Sequence, residues 1–414
     1  MKLKLDLICL RIGFVALMGA IFLQIKNSLS WGHSSWQITE WLINYQGGFV
    51  RRGLPGQALL YISDLFGFQA NHVAIVISLS LYLFLLGFLL VKTKGKFIAL
   101  LILSPIAMGA PAYQDFIVRK DILGIIFLII CLKILDLKNK EYLLWRYLAT
   151  NFIAIIAILS HESFFFFALP AIVVVISKLQ KDANSVKNIS HAFFVLTPSF
   201  LAFGFCAFFK GDSMIANAIN LSWIQLWRVI EPGNCCFEQP SAAIDSLQWT
   251  TRKGLQLSYS TLFAFSKGIY VPLAWLISML ISGYFLMSYS KISNYYYKKF
   301  LNILIFQIIV ISPLFVLGWD FGRWIFLWSI SSIILFIYGI NLDNKMVMYA
   351  YPYFKKIQQS YINQYISRNS WLLLLFGIPG CCWSFWGFIG SSPVGYYFRK
   401  FLAYPLVFLK NLLF

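Results

Sequence analysis

Apolar runs, each about as long as a bilayer crossing, recur along the whole chain and are separated by short polar segments. Of the 414 residues, 60% are apolar and only 12% are charged. A helix needs about 20 apolar residues to cross a hydrocarbon layer of about 30 Å, and it satisfies its own backbone hydrogen bonds there. The sequence therefore predicts an all-α fold, a polytopic integral membrane helix bundle of about 11 (10 to 12) transmembrane helices with short loops. Residues 1–414 are predicted to form a single transmembrane domain.

The predicted spans follow these apolar runs, with approximate bounds. The first run is long and no small-residue cleavage site follows it, so it is interpreted as an uncleaved span and not as a signal peptide. The segment 58–68 is too short to cross and is predicted to lie along the interface or to re-enter. The apolar C-terminal segment allows a twelfth short span. The predicted spans lie near 7–29, 71–91, 97–112, 121–137, 148–161, 163–177, 190–209, 268–290, 300–318, 324–341 and 371–389.

Basic residues fall in alternate loops of this predicted bundle, for example in "KTKGK" and "KISNYYYKK". Cytoplasmic loops of membrane proteins carry such an excess of lysine and arginine, so the N-terminus is predicted to be cytoplasmic. The same rule makes 342–369 a cytoplasmic loop and 210–267 the largest extracytoplasmic loop. The formal net charge of +19 is thereby explained by topology, and no nucleic-acid partner is predicted.

Two adjacent arginines, Arg51 and Arg52, lie in the stretch "NYQGGFVRRGLPG" on the side where topology disfavours basic residues. The glycines around them permit tight backbone turns and close approach of a ligand to main-chain N–H groups. A phosphate suits such a place, because guanidinium groups match its oxygens and remain charged. The alternative is that both arginines extend to lipid headgroups as anchors.

Two other predicted outer turns also carry opposite charges. In "YQDFIVRKD", Asp115 and Arg119 are i,i+4 neighbours if the chain is helical from 114 onward, and Lys120 then projects elsewhere. This turn is interpreted either as part of a binding site or as a local salt-bridge cluster. In "GWDFGRW", Asp320 and Arg323 share a helix face, where they either lock two spans together or close the same outer cavity.

His161 and Glu162 interrupt a long apolar stretch in "SHES". Ionisable groups at membrane depth are costly and are therefore functional candidates. A desolvated glutamate has a raised pKa, and an adjacent histidine can hold or orient its proton. The alternative is a tight hairpin capped by Ser160 and Ser163.

Seven cysteines are present, and without a CxxC motif or paired histidine ligands no metal site is predicted. Cys235 and Cys236 fall in the predicted outer loop, and adjacent cysteines bridge each other only with strain. In an oxidising compartment Cys381 and Cys382 are candidate partners for them, and free thiols are the alternative.

An arginine cluster with nearby carboxylates at the membrane surface favours glycosyl transfer from a lipid-linked pyrophosphate donor. A carboxylate would deprotonate the attacking sugar hydroxyl, and the arginines would stabilise the departing pyrophosphate. No GxGxxG motif or P-loop indicates a nucleotide site, and no cofactor is predicted.

Together, "INYQGGFVRRGLPG", "RKDILG", "SHESFFF" and "WDFGRW" resemble bacterial membrane proteins of surface-polysaccharide synthesis, similar to Wzy and EpsG-like polysaccharide polymerases. The resemblance implies a polymerase that uses polyprenyl-pyrophosphate-linked glycan at the outer face of the inner membrane, in O-antigen, capsule or exopolysaccharide synthesis. It also implies that Arg51, Arg52, Arg119 and Arg323 handle the pyrophosphate. Wzy-type proteins carry two large periplasmic loops, whereas this chain has one.

Two other functions stay open on the sequence. A GT-C type single-sugar transferase usually carries its catalytic acid in the first outer loop, where Glu40 is the one carboxylate. A transporter or flippase for a lipid-linked sugar or another anion is the third interpretation, although the polar residues gather at one face and not at mid-membrane.

The predicted partners are the lipid bilayer, the lipid-linked glycan and other membrane proteins of polysaccharide assembly. The candidate catalytic carboxylates, in order of preference, are Glu162, Glu40 and Asp115. The candidate substrate-binding residues are Arg51, Arg52, Arg119, Lys120, His161, Asp320 and Arg323.

Overall fold

A computed structural model describes most of the chain, namely residues 2–31, 35–93, 95–136, 142–180, 185–230, 239–263, 270–287, 294–342 and 369–403. Within these ranges the secondary structure is helical and no strand occurs, which confirms the predicted all-α class. Five of the described helices are long and apolar enough to cross a membrane, and the number rises to six if one bent pair is a single span. These helices support the prediction of a membrane protein. The predicted number of about 11 spans is not confirmed.

The helices are numbered here in chain order. They are α1 Lys2–Trp31, α2 Trp36–Leu42, α3 Gly53–Phe66, α4 Ala70–Lys92, α5 Lys96–Leu103, α6 Gly109–Tyr113, α7 Asp121–Asp136, α8 Leu143–Ser160, α9 Phe164–Phe167, α10 Leu169–Leu179, α11 Ser185–Val195, α12 Thr197–Phe208, α13 Ser213–Ile230, α14 Ala242–Asp245, α15 Thr251–Phe263, α16 Tyr270–Met287, α17 Asn294–Leu317, α18 Phe321–Ile337, α19 Leu372–Leu375, α20 Phe385–Gly390 and α21 Pro393–Phe398.

The chain forms two compact units. Unit 1 comprises Met1–Gln24, Leu86–Phe116 and Leu255–Phe414, and in it α18 packs on α17, α16 and the short α6. Unit 2 comprises Ile25–Leu85 and Ile117–Gly254. There α8 packs between α7 and α12, while α2 packs on α3 and α14. The apolar core behind α2 includes two tryptophans of α13, Trp223 and Trp227.

Several predicted spans coincide with long helices. The runs near 7–29, 71–91, 148–161, 268–290 and 300–318 match the candidate spans Lys4–Ser30, Ala70–Lys92, Leu143–Ser160, Tyr270–Met287 and Lys298–Leu317. The run near 190–209 forms the bent pair α11 and α12, whose axes differ by 60°. Asn151 on α8 stabilises this break, because its amide donates to the Val195 carbonyl at 2.8 Å.

Other predicted spans are short or broken. The run near 121–137 forms the 16-residue α7, and 324–341 overlaps the 17-residue α18. The run near 163–177 divides at Ala168 into α9 and α10. The run near 97–112 is not one helix, because the chain turns at Ser104 and Pro105 between α5 and α6. A proline disfavours helical backbone at the residue before it, which accounts for the break.

The run near 371–389 also divides, into α19 and α20 with a non-helical stretch at 376–384. Residues 58–66 of the segment 58–68 belong to the 14-residue helix α3, which ends at Phe66. The predicted outer loop 210–267 contains α13, α14 and α15, whereas Cys235 and Cys236 lie outside the described residues. Nearly all of the predicted cytoplasmic loop 342–369 also lies outside them.

The glycines of the "RRGLPG" stretch permit close packing of α3. A Cβ atom on Gly56 would fall 1.9 Å from the carbonyl oxygen of Ile43, and a Cβ on Gly53 would fall 2.3 Å from the ring of Tyr45. The positive-φ backbone that a glycine-rich stretch allows occurs at Gly48, with φ 109°, and at Arg52, with φ 66°, and not at Gly53 or Gly56. The sequence correctly indicated a tight turn here, and these two glycines serve helix packing.

We expect Gly56→Ala to destabilise the protein by about 1–3 kcal/mol or more, since the added methyl group meets backbone and not a flexible side chain. The measurement is the thermal unfolding midpoint of the detergent-purified protein. Gly87→Ala in α4 is the matched control, because nothing lies within 4 Å of its Cβ position. Its midpoint should stay unchanged or rise. Equal midpoints for Gly56→Ala and the wild type would contradict the packing account.

Candidate functional site

Unit 2 brings together charged side chains from the short helix α2 and from three turns, which lie before α3, before α7 and after α8. Glu40 lies on α2, Arg51 and Arg52 precede α3, and His161 with Glu162 forms the turn after α8. These five residues are called the arginine–glutamate cluster below. Arg119 and Lys120, just before α7, border it. The sequence had nominated all of them, but it did not predict which would be in contact.

Arg52 is the centre of the cluster. Its Nε donates to Glu162 Oε1 at 3.0 Å and to Oε2 at 2.7 Å, and its Nη2 donates to Oε1 as well. Its Nη1 lies 3.5 Å from Glu40 Oε1, so the guanidinium bridges two carboxylates. Bidentate arginine–carboxylate pairs are among the strongest charge-assisted hydrogen bonds in proteins. Arg52 thus joins α2 to the turn after α8.

Arg51 is the more loosely held arginine. Its Nη1 donates to Glu162 Oε1 at 3.3 Å, and its side chain is 29% exposed against 20% for Arg52. Its main-chain N–H donates to the Phe209 carbonyl at 3.0 Å, which fixes the backbone after α12 against this turn. Glu162 therefore receives hydrogen bonds from two adjacent guanidinium groups and is itself only 16% exposed.

Glu40 and His161 form a buried pair. Nε2 of His161 lies 3.0 Å from Glu40 Oε1, and both side chains are at most 5% exposed. The Ser163 N–H donates to His161 Nδ1 at 3.2 Å, so Nδ1 is the acceptor and Nε2 carries the proton that is donated to Glu40. The other Glu40 oxygen, Oε2, is buried with no hydrogen-bond partner in the described part of the chain.

Lys120 supports the backbone of Arg52. Its Nζ donates to the Arg52 carbonyl at 2.9 Å and lies 5.8 Å from the centroid of the Trp41 ring. The side chain is only 1% exposed. Burial lowers the pKa of Lys120 to about 7, although Glu40 acts to raise it. The contact holds a left-handed backbone that a non-glycine residue adopts only at a cost of about 1 kcal/mol.

Both glutamates of the cluster are stabilised in the ionised form. Burial acts to raise the pKa of Glu162, but the charges of Arg52 and Arg51 outweigh it and hold that pKa well below its usual range. Burial likewise opposes ionisation of Glu40, but His161 and the charges of Arg119 and Arg52 lower its pKa. The prediction of a raised pKa for Glu162 is therefore wrong. That prediction considered the burial of the carboxylate and not its pairing with two arginines.

The apolar core of unit 2 positions α2 and with it Glu40. Trp223 on α13 donates from Nε1 to the Leu42 carbonyl at 2.7 Å. Trp41 donates from Nε1 to the Val118 carbonyl, which also accepts from Ser78 Oγ at 3.1 Å. These contacts tie α2 to α13 and to the segment that carries Lys120. Trp41 was not among the residues that the sequence nominated, and the available signal was its position directly after Glu40 in a short apolar segment.

The remaining candidates, Asp115, Asp320 and Arg323, belong to unit 1. Burial raises the pKa of Asp115, against the charges of Lys400 and Arg399. Residues 114–120 are not helical, and Asp115 has φ 59°, so Asp115 and Arg119 are not i,i+4 neighbours on a helix.

Asp320 and Arg323 form the ion pair that their spacing predicted, with Nη1 to Oδ2 at 2.5 Å and Arg323 almost fully buried.

Comparisons with protein-family models, with curated proteins and with solved structures found no match.

We expect the cluster to make stability pH-dependent on the acid side. The pKa values of Glu40 and Glu162 are lower in the folded chain than the ordinary value of 4.5. Their stabilisation is therefore present above pH 4.5 and is lost as the pH falls below it. Glu162→Gln should lower the unfolding midpoint at pH 7 and should differ less from the wild type at pH 3, where the Glu162 carboxylate is protonated in the unfolded wild-type chain.

Thermal unfolding of the wild type and Glu162→Gln between pH 3 and pH 7 measures this convergence. Asp64→Asn is the control, since Asp64 is an exposed carboxylate on α3. Its curve should run parallel to that of the wild type. A gap between Glu162→Gln and the wild type that stays constant over this range would contradict the assigned pairing.

Proposed function

We propose that this protein is a metal-independent membrane glycosyltransferase of the polymerising type. It takes a glycan from a polyprenyl pyrophosphate carrier at the outer face of a bacterial inner membrane, in the synthesis of a surface polysaccharide. The topology in this proposal has about 11 spans and a cytoplasmic N-terminus. It puts the arginine–glutamate cluster on the extracytoplasmic side, where a lipid-linked donor replaces a nucleotide sugar.

One observation supports the proposal above the others. Two adjacent, partly exposed arginines bind the same anionic group, the carboxylate of Glu162, through three of their nitrogen atoms. A pyrophosphate offers the same kind of acceptor oxygens with more charge, and arginine forks match that geometry. The cluster is thus an anion site that an internal carboxylate fills, and a diphosphate is a stronger ligand for it.

Donor binding then changes the chemistry of Glu162. While Arg51 and Arg52 hold it, its lowered pKa makes it a weak base. When the pyrophosphate takes over the guanidiniums, Glu162 loses the charges that lower its pKa, and its partly buried position raises the pKa instead. The glutamate therefore becomes a competent base at the moment when the donor is bound.

The reaction is a displacement at the anomeric carbon of the carrier-linked sugar. A hydroxyl of the acceptor glycan attacks that carbon and forms the new glycosidic C–O bond. The bond between the anomeric carbon and the pyrophosphate oxygen breaks, and its electron pair leaves with the polyprenyl pyrophosphate. The hydroxyl proton passes to Glu162, and Arg51 and Arg52 stabilise the charge on the leaving group.

Glu40 supports a second candidate, the transfer of a single sugar. Its Oε2 is buried with no hydrogen-bond partner in the part of the chain that the structure describes, so it has acceptor capacity for a sugar hydroxyl. Glu40 then takes the role of base, and His161 fixes its orientation through the 3.0 Å contact. The two candidates differ in product, because one lengthens a chain by whole repeat units and the other adds one residue.

Arginine replacement tests the anion role. We expect Arg51→Lys and Arg52→Lys each to reduce long-chain polysaccharide in cells by at least tenfold, because a lysine cannot form the bidentate contact. The measurement is complementation of a deletion strain, with surface glycan resolved by chain length and lipid-linked intermediates extracted alongside. Single repeat units on intact carrier indicate a polymerase, and a unit that lacks one sugar indicates a single-sugar transferase.

The control for these variants is Arg252→Lys, on α15, which should restore wild-type chain lengths. Full activity in both arginine variants would overturn the pyrophosphate role. Unchanged glycans in the deletion strain itself would overturn the glycosyltransferase and favour the transport function. Loss of activity on treatment with a chelator would contradict the metal-independent mechanism.

Glutamate replacement tests the displacement step. Glu162→Gln should reduce long-chain product by at least tenfold, because the amide cannot accept the proton, yet it should increase the donor that co-purifies with the protein. The increase follows because a neutral amide competes less well than a carboxylate for the two guanidiniums.

The measurement is mass spectrometry of lipid-linked glycan in the detergent-purified protein, normalised to protein. The double variant Glu162→Gln with Arg51→Lys should lose the increase. Normal chain lengths in Glu162→Gln would remove it as the base.

A further inference from the structure

The adjacent thiols of Cys381 and Cys382 lie in unit 1, whereas the arginine–glutamate cluster belongs to unit 2. Cys381 and Cys382 occupy a bend in the non-helical stretch between α19 and α20. Their Sγ atoms are 2.6 Å apart, and Cys382 is exposed. The other cysteines in the described part of the chain, Cys9, Cys131 and Cys206, are buried. Among the cysteines that the structure describes, only Cys381 and Cys382 thus combine proximity with access.

This arrangement is chemically reactive. The two sulfur atoms are only about 0.5 Å further apart than in a covalent disulfide of about 2.05 Å. A hydrogen bond between the thiols favours the thiolate of the accepting sulfur, and the thiolate is the nucleophile in disulfide exchange. The pair therefore has both an accessible attacking sulfur and a resolving sulfur beside it.

The bend that carries the thiols is joined to the start of α18. The N–H of Gly322 donates to the Gly380 carbonyl at 2.8 Å, and a Cβ on Gly322 would fall 2.1 Å from the Pro379 carbonyl oxygen. Gly322 lies between Asp320 and Arg323, the ion pair of "WDFGRW". The segment that carries the thiols is therefore hydrogen-bonded directly to the turn that holds this ion pair.

We propose that Cys381 and Cys382 are a site of reversible oxidation that forms a disulfide between the two adjacent residues. The oxidant is a disulfide, either a small molecule or the disulfide form of a dithiol oxidoreductase. The thiolate of Cys382 attacks that disulfide and forms a mixed disulfide, and one thiol leaves. The thiol of Cys381 then attacks Cys382 Sγ and displaces the second thiol. Two electrons and two protons pass to the oxidant, which becomes two thiols.

The bond is reversible because it is strained. Adjacent Cα atoms lie about 3.8 Å apart across a trans peptide, whereas unstrained disulfides need about 4.4 Å or more. Strained and exposed disulfides have higher reduction potentials and are the labile ones. This site is therefore expected to respond to the redox state of its compartment and not to act as a permanent link.

The experiment uses the full-length protein in detergent, treated with reduced or oxidised glutathione and then alkylated. Peptide mass spectrometry follows the segment that contains both cysteines. Oxidation should cause the loss of two hydrogens and of both alkyl groups from this peptide, and a reducing agent should restore both sites. Cys381→Ser and Cys382→Ser are the controls, and neither should show the two-hydrogen loss.

Size-exclusion elution in detergent verifies that each serine variant is folded. Three outcomes would overturn the proposal: alkylation of both thiols after oxidation, a glutathione adduct that persists on Cys382, or a peptide that links either residue to Cys235 or Cys236. The last outcome is the pairing that the sequence suggested. None of these outcomes depends on glycosyltransferase activity, so the proposal stands or fails separately from the proposed function.

Discussion

The contact between Arg52 and Glu162 is the interaction on which the rest of the site depends. It joins residues 110 positions apart in sequence, from the turn before α3 and the turn after α8. A charge that leaves water without a partner costs several kcal/mol, so each of these half-buried side chains stabilises the other. Removing one partner of such a pair is more harmful than replacing both. The pair therefore fixes the two turns together as long as Arg52 holds Glu162.

The hydrogen bonds of the cluster form a connected series, in which each group orients the next. The Ser163 N–H fixes the tautomer of His161, and His161 then donates to Glu40. Glu40 faces Nη1 of Arg52, while Lys120 holds the Arg52 carbonyl. Each contact restricts the next, which is the condition for a preorganised site. A charged ligand would therefore meet groups whose orientation is already set.

The sequence predicted the helical fold class and nominated the residues of the candidate site. It did not predict which of these residues are in contact. Apolar run length sufficed for the helical class, but Ser104 and Pro105 break a run that hydropathy alone treats as continuous. Arg51, Glu162 and His161 stood out because charge is rare in this chain. Their pairing is a long-range property of the fold, and so is the lowered pKa of Glu162. The roles of Gly53 and Gly56 were equally hidden, because they depend on which backbone lies against α3.

Arg51 and Arg52 differ in how firmly Glu162 binds them, and this difference indicates how an anion would enter the cluster. Arg52 makes short, bidentate contacts and bridges two carboxylates, whereas Arg51 makes one 3.3 Å contact and is the more exposed. A ligand oxygen can approach Arg51 first without breaking the bridge to Glu40. Once it is bound there, its charge lies next to Glu162 and repels it, which weakens the remaining contacts of Glu162 with Arg52. Binding of the anion at Arg51 thus lowers the barrier for the anion to replace Glu162 at Arg52.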